Sequence, residues 1–197
     1  MSKLFFIIGL RRSGTSILRE LLLKHSQIKD IEFEPHPLWN AVDLNHFTRF
    51  KDLPYVRSTI EKFRKQGEGD KWYGAKFALN PGVKAMEWVW LDKTFPEAKF
   101  IFIYRNLKDT FKSYYKQDKD AVRGYVPEEI YHPFANLIHK TFIDRFSPFD
   151  NREQPILYES LIKNPDEELK KIWWLLGISP MTGFNKYMRK PENWGQK

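Results

Sequence analysis

Residues 3–16, Lys-Leu-Phe-Phe-Ile-Ile-Gly-Leu-Arg-Arg-Ser-Gly-Thr-Ser, decide the fold. The run from Lys3 to Ile8 is almost wholly apolar, as a strand buried on both faces would be. From Thr15 to Lys24 the apolar residues Leu18, Leu21 and Leu22 recur at helical spacing, so a helix follows the strand. Between them Gly9 and Gly14 bracket a turn tight enough to bring successive backbone N–H groups onto one anion. The helix start adds unpaired donors and a positive dipole end. Arg11, Arg12, Ser13, Gly14, Thr15 and Ser16 are therefore candidate anion-binding residues. The spacing matches G-x-x-x-x-G-K-[ST] at both glycines and at Ser16, but Thr15 stands where a lysine would reach the outer phosphates of a nucleoside triphosphate. That departure weakens an ATPase or kinase reading, although Arg11 or Arg12 could supply the charge.

Outward from this loop the chain alternates strands with helices, the pattern of a parallel α/β sheet. Strands are expected at Ile31–Glu34, Trp72–Ala78, Lys99–Tyr104 and Pro155–Tyr158. Helices are expected at Pro54–Gln66, Val83–Phe95, Leu107–Gln117 and about Pro133–Phe146. A last helix should start at Asn164, with Pro165 in its first turn and Glu167 completing a capping box, and should stop at Gly177. Trp88, Trp90, Trp173 and Trp174 read as core aromatics. No repeat or linker interrupts the chain, so residues 1–197 are read as one domain.

Composition bounds the function without choosing it. The 197 residues are 42% hydrophobic, with seven Trp and sixteen Phe, which suits a packed core. A net charge of +8 suits an anionic ligand. There is no cysteine, which excludes disulfides, thiolate metal sites and cysteine nucleophiles. The apolar run Leu4–Leu10 is short and carries no cleavage signal, and nothing approaches the roughly 20 apolar residues of a membrane span, so a cytoplasmic location is expected.

A second anion site is legible at Lys99–Arg105, an apolar strand that ends in an arginine. Asn106 is placed to cap the helix after it, which carries Ser113 about two turns on. In an open α/β sheet ligands lie beyond the carboxyl ends of the strands, so Arg105 should arrive at the same edge as the Gly9–Ser16 loop. Two anion sites on one edge fit a molecule phosphorylated at two separated points.

At these residues the chain resembles a known family. Tyr104-Arg105-Asn106-Leu107-Lys108-Asp109 through Ser113-Tyr114-Tyr115 is similar to the 3′-phosphate segment of sulfotransferases that use 3′-phosphoadenosine 5′-phosphosulfate (PAPS). Arg12-Ser13-Gly14-Thr15-Ser16 resembles their 5′-phosphosulfate loop. Gly74-Ala75-Lys76 looks like their third-strand lysine segment, and Tyr158-Glu159-Ser160-Leu161 with Asn164-Pro165 and Leu176-Gly177 is similar to a later one. The segments keep the family's order from Lys3 to Ile178. Leu107 stands where many members have Pro, and Ile17 where cytosolic members often carry Trp, which leans towards the carbohydrate-type branch. The resemblance implies a three-layer P-loop NTPase-like α/β fold with a central parallel β-sheet flanked by helices.

It also implies roles. Arg105 and Ser113 would hold the 3′-phosphate of PAPS and of its product PAP, and Arg189 or Lys190 of the basic tail would close over the nucleotide. Arg12 and Lys76 would stabilise charge on the leaving oxygens. Glu34, followed by Pro35 as in carbohydrate-type members, is the preferred base, and His36 competes for that role. His25, His46, His132 and His139 lack a motif and read as structural or exposed. No metal is implied. The acceptor would be a small molecule or glycan bearing a hydroxyl or amine. The rival readings are a small-molecule kinase using ATP–Mg²⁺ and a nucleic-acid-binding module, the latter not expected because most aromatics fall in apolar periodic runs.

Overall fold

The computed structural model describes residues 2–35, 54–79, 88–118, 127–145 and 151–188. Strand β1 (Leu4–Leu10) is buried along its whole length, and its alternating side chains feed two separate cores. Phe6, Ile8 and Leu10 point to one face, where Phe6 packs 5.3–6.0 Å, centroid to centroid, from the rings of Phe63, Phe77, Phe95 and Phe100. Phe5 and Ile7 point to the other, towards Leu18, Leu21, Ile101, Ile103 and Trp173. A strand covered on both faces has no polar alternation, which is why its sequence reads as an unbroken apolar run.

In chain order β1 is followed by α1 (Thr15–Leu22), β2 (Ile28–Phe33), α2 (Pro54–Gly67), β3 (Trp72–Leu79), α3 (Trp88–Thr94) and β4 (Lys99–Tyr104). Then come α4 (Leu107–Asp118), α5 (Glu128–Arg145), β5 (Glu153–Leu157), α6 (Tyr158–Lys163), α7 (Pro165–Leu176) and a 3₁₀ turn at Phe184–Tyr187. The five strands form one parallel sheet in the order β2-β3-β1-β4-β5. Residues of α2, α4 and α5 line the Phe6 core, and residues of α1, α6 and α7 line the Phe5 core, so the expected three-layer fold is present. From β1 the chain goes to β2 and β3 on one side and then crosses to β4 on the other. The switch lies between β1 and β4, and in open α/β sheets ligands bind beyond the carboxyl ends of the strands at that place. Among the described residues no helix is long and apolar enough to cross a membrane.

Several expectations are corrected. Tyr158 does not end a strand; it opens α6, because β5 ends at Leu157. Helix α5 begins at Glu128, five residues before Pro133, whose ring sits exposed in the helix. The missing N–H there removes only one intrahelical bond. Asn164 precedes α7, but its side chain makes no capping bond. In that first turn Asp166 instead accepts the N–H groups of Gly183 and Phe184, at 2.9 Å each, and ties down the chain after the helix. Trp173 is fully buried, whereas Trp174 is 77% exposed and is no core residue. Adjacent helical residues diverge by about 100°, so only one of the pair can face the sheet. Gly177 ends α7 in the left-handed conformation as expected.

Candidate active site

The loop after β1 is built by two close approaches. A Cβ on Gly9 would fall 2.5 Å from Ser13 Oγ and 2.7 Å from Ile103, so only glycine lets the loop fold back over β1 beside β4. Gly14 has φ +103°, and a Cβ there would meet the Tyr158 ring at 2.4 Å. Between them Arg12 adopts φ +77°, a left-handed conformation that costs a non-glycine residue of order 1 kcal/mol or more. The first helical bond of α1 runs from Leu18 N–H to the Gly14 carbonyl at 3.0 Å. The amides of Thr15, Ser16 and Ile17 thus have no intrahelical acceptor and stand at the positive end of the helix.

The left-handed Arg12 links the loop to the elements around β4. Arg12 Nε donates to Ser113 Oγ at 3.2 Å, across 101 residues of sequence, joining the β1 loop to α4. Arg105, just past β4, donates from Nη1 to the Arg12 carbonyl at 3.0 Å. Its guanidinium also lies 4.5 Å from the centroid of the Tyr158 ring. Arg12, Arg105 and Ser113, expected from sequence to act together, are therefore gathered at the β1–β4 switch. Asn106 is the N-cap expected of it, its Oδ1 accepting from the amides of Lys108 and Asp109 at 3.0 and 3.3 Å. Its own N–H is taken by Glu159 at 2.9 Å.

A second cluster lies on the other side of β1. Lys76, in the middle of β3, extends its ammonium 3.0 Å from Glu34 Oε1, and its side chain is only 3% exposed. Burial pulls the Lys76 pKa below the ordinary lysine value. The carboxylate of Glu34 opposes that shift, and the nearby charges of Arg19 and Arg11 add to it. Glu34 follows β2, donates its N–H to the Lys76 carbonyl at 3.1 Å, and has φ +43°. Among the described residues, the non-glycine residues with positive φ, Arg12 and Glu34, thus fall one in each cluster. Backbone strain of this kind concentrates at functional sites.

Ser13 and Thr15 are buried in the loop and Ser16 is exposed at the first turn of α1. His36, Arg189 and Lys190 lie outside the described residues, as do His46 and the side chains of Trp88 and Trp90. His25 is structural: Nδ1 accepts from the Gln27 N–H at 3.1 Å while Nε2 lies 2.9 Å from the Ser179 carbonyl. Three side chains of the site escaped the sequence reading. Tyr158 backs both Gly14 and Arg105, Arg19 reaches back to the Ile31 carbonyl beside the Lys76 cluster, and Phe33 lies over the Lys76 ammonium. Only Tyr158 carried a signal, its place in a segment quoted for the resemblance.

Comparisons with known proteins follow the same line. A family model described as "Sulfotransferase domain" matches residues 2–190. Among solved structures the chain is similar to the sulfotransferase domain of the Synechococcus PCC 7002 olefin synthase, with 16% identity and a TM-score of 0.67 over 100% of this chain and 84% of that one. It is also similar to a sulfotransferase from Alicyclobacillus acidocaldarius, with 20% identity and a TM-score of 0.66 over 98% of this chain and 87% of that one. A mouse sulfotransferase complexed with PAP aligns at 19% identity and a TM-score of 0.58, over 94% of this chain and 63% of that one. No curated protein matches the sequence significantly.

Proposed function

This chain belongs to the sulfotransferase domain family, and on that premise we propose that it transfers a sulfuryl group from PAPS to a hydroxyl or amine acceptor, carbohydrate-like in kind. One observation carries the reading. Arg12, Arg105 and Ser113 are linked by hydrogen bonds of 3.0–3.2 Å beside the N-terminal amides of α1, an arrangement that supports a reading of two anion-binding elements at the carboxyl ends of β1 and β4. A ligand phosphorylated at both the 5′ and 3′ positions fits that donor set. The 5′ group would rest on the amides of Thr15, Ser16 and Ile17, and the 3′-phosphate would take Arg105 and Ser113.

PAPS, when bound, supplies a sulfuryl group whose leaving group is the phosphate of PAP. The acceptor oxygen forms a bond to sulfur as the bond from sulfur to the phosphate oxygen breaks, and the acceptor proton passes to a base. Glu34 is assigned that base. Lys76 holds one of its oxygens, Oε1, at 3.0 Å and so fixes the carboxylate for its task. Lys76 and Arg11 supply positive charge on the β3 side of the loop, and Arg12 supplies it on the β4 side, where developing negative charge would be offset.

The test is ligand choice followed by turnover. PAP should raise the melting temperature by several degrees while ATP–Mg²⁺ leaves it unchanged. A screen of acceptors with ³⁵S-labelled PAPS should then yield labelled product. Stabilisation by ATP–Mg²⁺ and none by PAP would transfer the assignment to phosphoryl chemistry.

A further inference from the structure

Helix α1 presents its unpaired amides to the donor loop at its first turn, and one turn further on it carries Arg19. The guanidinium leaves the helix for the strand at the edge of the sheet. Its Nε donates to the Ile31 carbonyl in β2 at 2.5 Å, across 12 residues of sequence. The N–H of Ile31 is met separately, by Asp30 Oδ1 at 2.7 Å. Arg19 Nη2 lies 4.0 Å from that same carboxylate, which is half-exposed, so the ion pair adds little and the carbonyl bond is the tie.

The strand it holds is one that needs holding. In the sheet order β2 stands at the outer end, and its register against β3 shifts between Ile28 and Asp30. An irregularity of that kind bends a strand and re-aims the residues beyond it. Ile31 comes directly after the shift, and the strand ends two residues later at Phe33. There the Phe33 ring lies 3.9 Å from the Lys76 ammonium, and Glu34 Oε1 lies 3.0 Å from it. Glu34 takes that place at φ +43°, a conformation that persists only where its surroundings enforce it. The lever is short. From Thr15 to Arg19 the helix rises about 6 Å, and from Ile31 to Glu34 an extended chain covers about 10 Å. The charge of Arg19 also reaches Lys76, whose pKa it helps to lower.

We propose that Arg19 is a positioning residue: by holding Ile31 to α1 it sets the end of β2, and with it Glu34, against Lys76 and at a fixed distance from the donor loop. Its part in the transfer rests on the reading that Glu34 and Lys76 act in a sulfotransferase site, whereas the placement itself does not. Blunting the open edge of the sheet is the plain alternative, and the test separates the two.

NMR of the protein labelled with ¹³C in its lysine side chains reads the placement directly. The Lys76 ammonium lies over the Phe33 ring, so the ring current displaces the adjoining methylene resonance upfield. Phe33→Leu identifies that resonance as the one that returns downfield. Arg19→Met keeps the apolar stem and removes the guanidinium. In this variant most of the upfield displacement should be lost and the melting temperature should fall by a few degrees. Arg19→Gln, too short to reach Ile31, gives a second reading of the same loss. Arg19→Lys, which keeps the charge and a donor for the Ile31 carbonyl, should retain the displacement. A resonance unmoved in Arg19→Met and Arg19→Gln would overturn the proposal and leave Arg19 as an edge cover, and so would Arg19→Lys behaving no better than Arg19→Met. PAP titrated by calorimetry reports on the donor site separately. Absence of PAP binding by the unsubstituted protein would overturn the donor assignment, and the part of Arg19 in transfer with it, whatever the Lys76 resonance shows.

Discussion

The guanidinium of Arg105 donates a hydrogen bond to the main-chain carbonyl of Arg12 at 3.0 Å, joining the end of β4 to the apex of the loop after β1. The bond helps to hold a left-handed arginine in place, so the end of β4 shapes the loop after β1. Arg12 returns the link through Ser113 on α4. The pair of contacts makes the crevice at the β1–β4 switch one unit whose parts cannot be removed singly without cost to the rest.

Arg105→Ala should weaken PAP binding by about 10- to 100-fold, the loss expected when charge-assisted hydrogen bonds to a phosphate disappear. The fold should lose no more than about 1 kcal/mol, because the side chain is half-buried and its contact with the Tyr158 ring is a modest one. Calorimetry and urea denaturation on the same variant check both halves. An unchanged PAP affinity would remove Arg105 from the site.

Gly14→Ala should damage folding and binding together. The new methyl group would sit at φ +103° and 2.4 Å from the Tyr158 ring, so the ring that backs Arg105 must move. A loss of roughly 1–3 kcal/mol in stability is expected, accompanied by loss of PAP binding. Tyr158→Ala in the same background should cost less than the sum of the two single losses, because the clash is gone, without restoring affinity.

Glu34→Gln should retain PAP affinity, because Glu34, just after β2, pairs with Lys76 of β3, whereas Arg12, Arg105 and Ser113 meet on the β4 side of β1. Turnover should fall by about 10²- to 10⁴-fold, the usual contribution of a general base. Full activity in Glu34→Gln with none in His36→Ala would transfer the base to His36.

Acid stability should depend on His139. Burial against the edge of the Tyr104 ring, 5.3 Å away, pushes its pKa from 6.5 down to about 4. Between those values the unfolded chain binds a proton that the folded chain does not, so stability falls as the pH drops through that window and is fully present above 6.5. His139→Phe should flatten this part of the stability–pH curve in urea titrations. A curve of unchanged slope would contradict the assignment.

Much of the site was legible because local sequence dictates it. The loop is fixed by Gly9 and Gly14 between an apolar run and a helical one, and Arg105 by its place at the end of an apolar strand. What escaped depends on tertiary approach. That Tyr158 would back Gly14 follows from β5 lying next to β4, which pattern alone does not reveal. The brevity of β5 and α6 hid the boundary between them, since a run of a few apolar residues reads equally as either element. Trp174 was misplaced because two adjacent tryptophans give no sign of which one faces the sheet. The turn of Arg12 towards Ser113 goes with a positive φ at a non-glycine residue, a conformation the sequence does not announce.

The most direct test compares PAP with adenosine 5′-monophosphate and adenosine 3′-monophosphate by calorimetric titration of the intact chain. If the loop amides and Arg105 grip two phosphates of one nucleotide, PAP binds one to one and at least about 100-fold more tightly than either monophosphate. PAP binding no more tightly than one of the monophosphates would mean that a single phosphate is held, and would contradict the two-point grip.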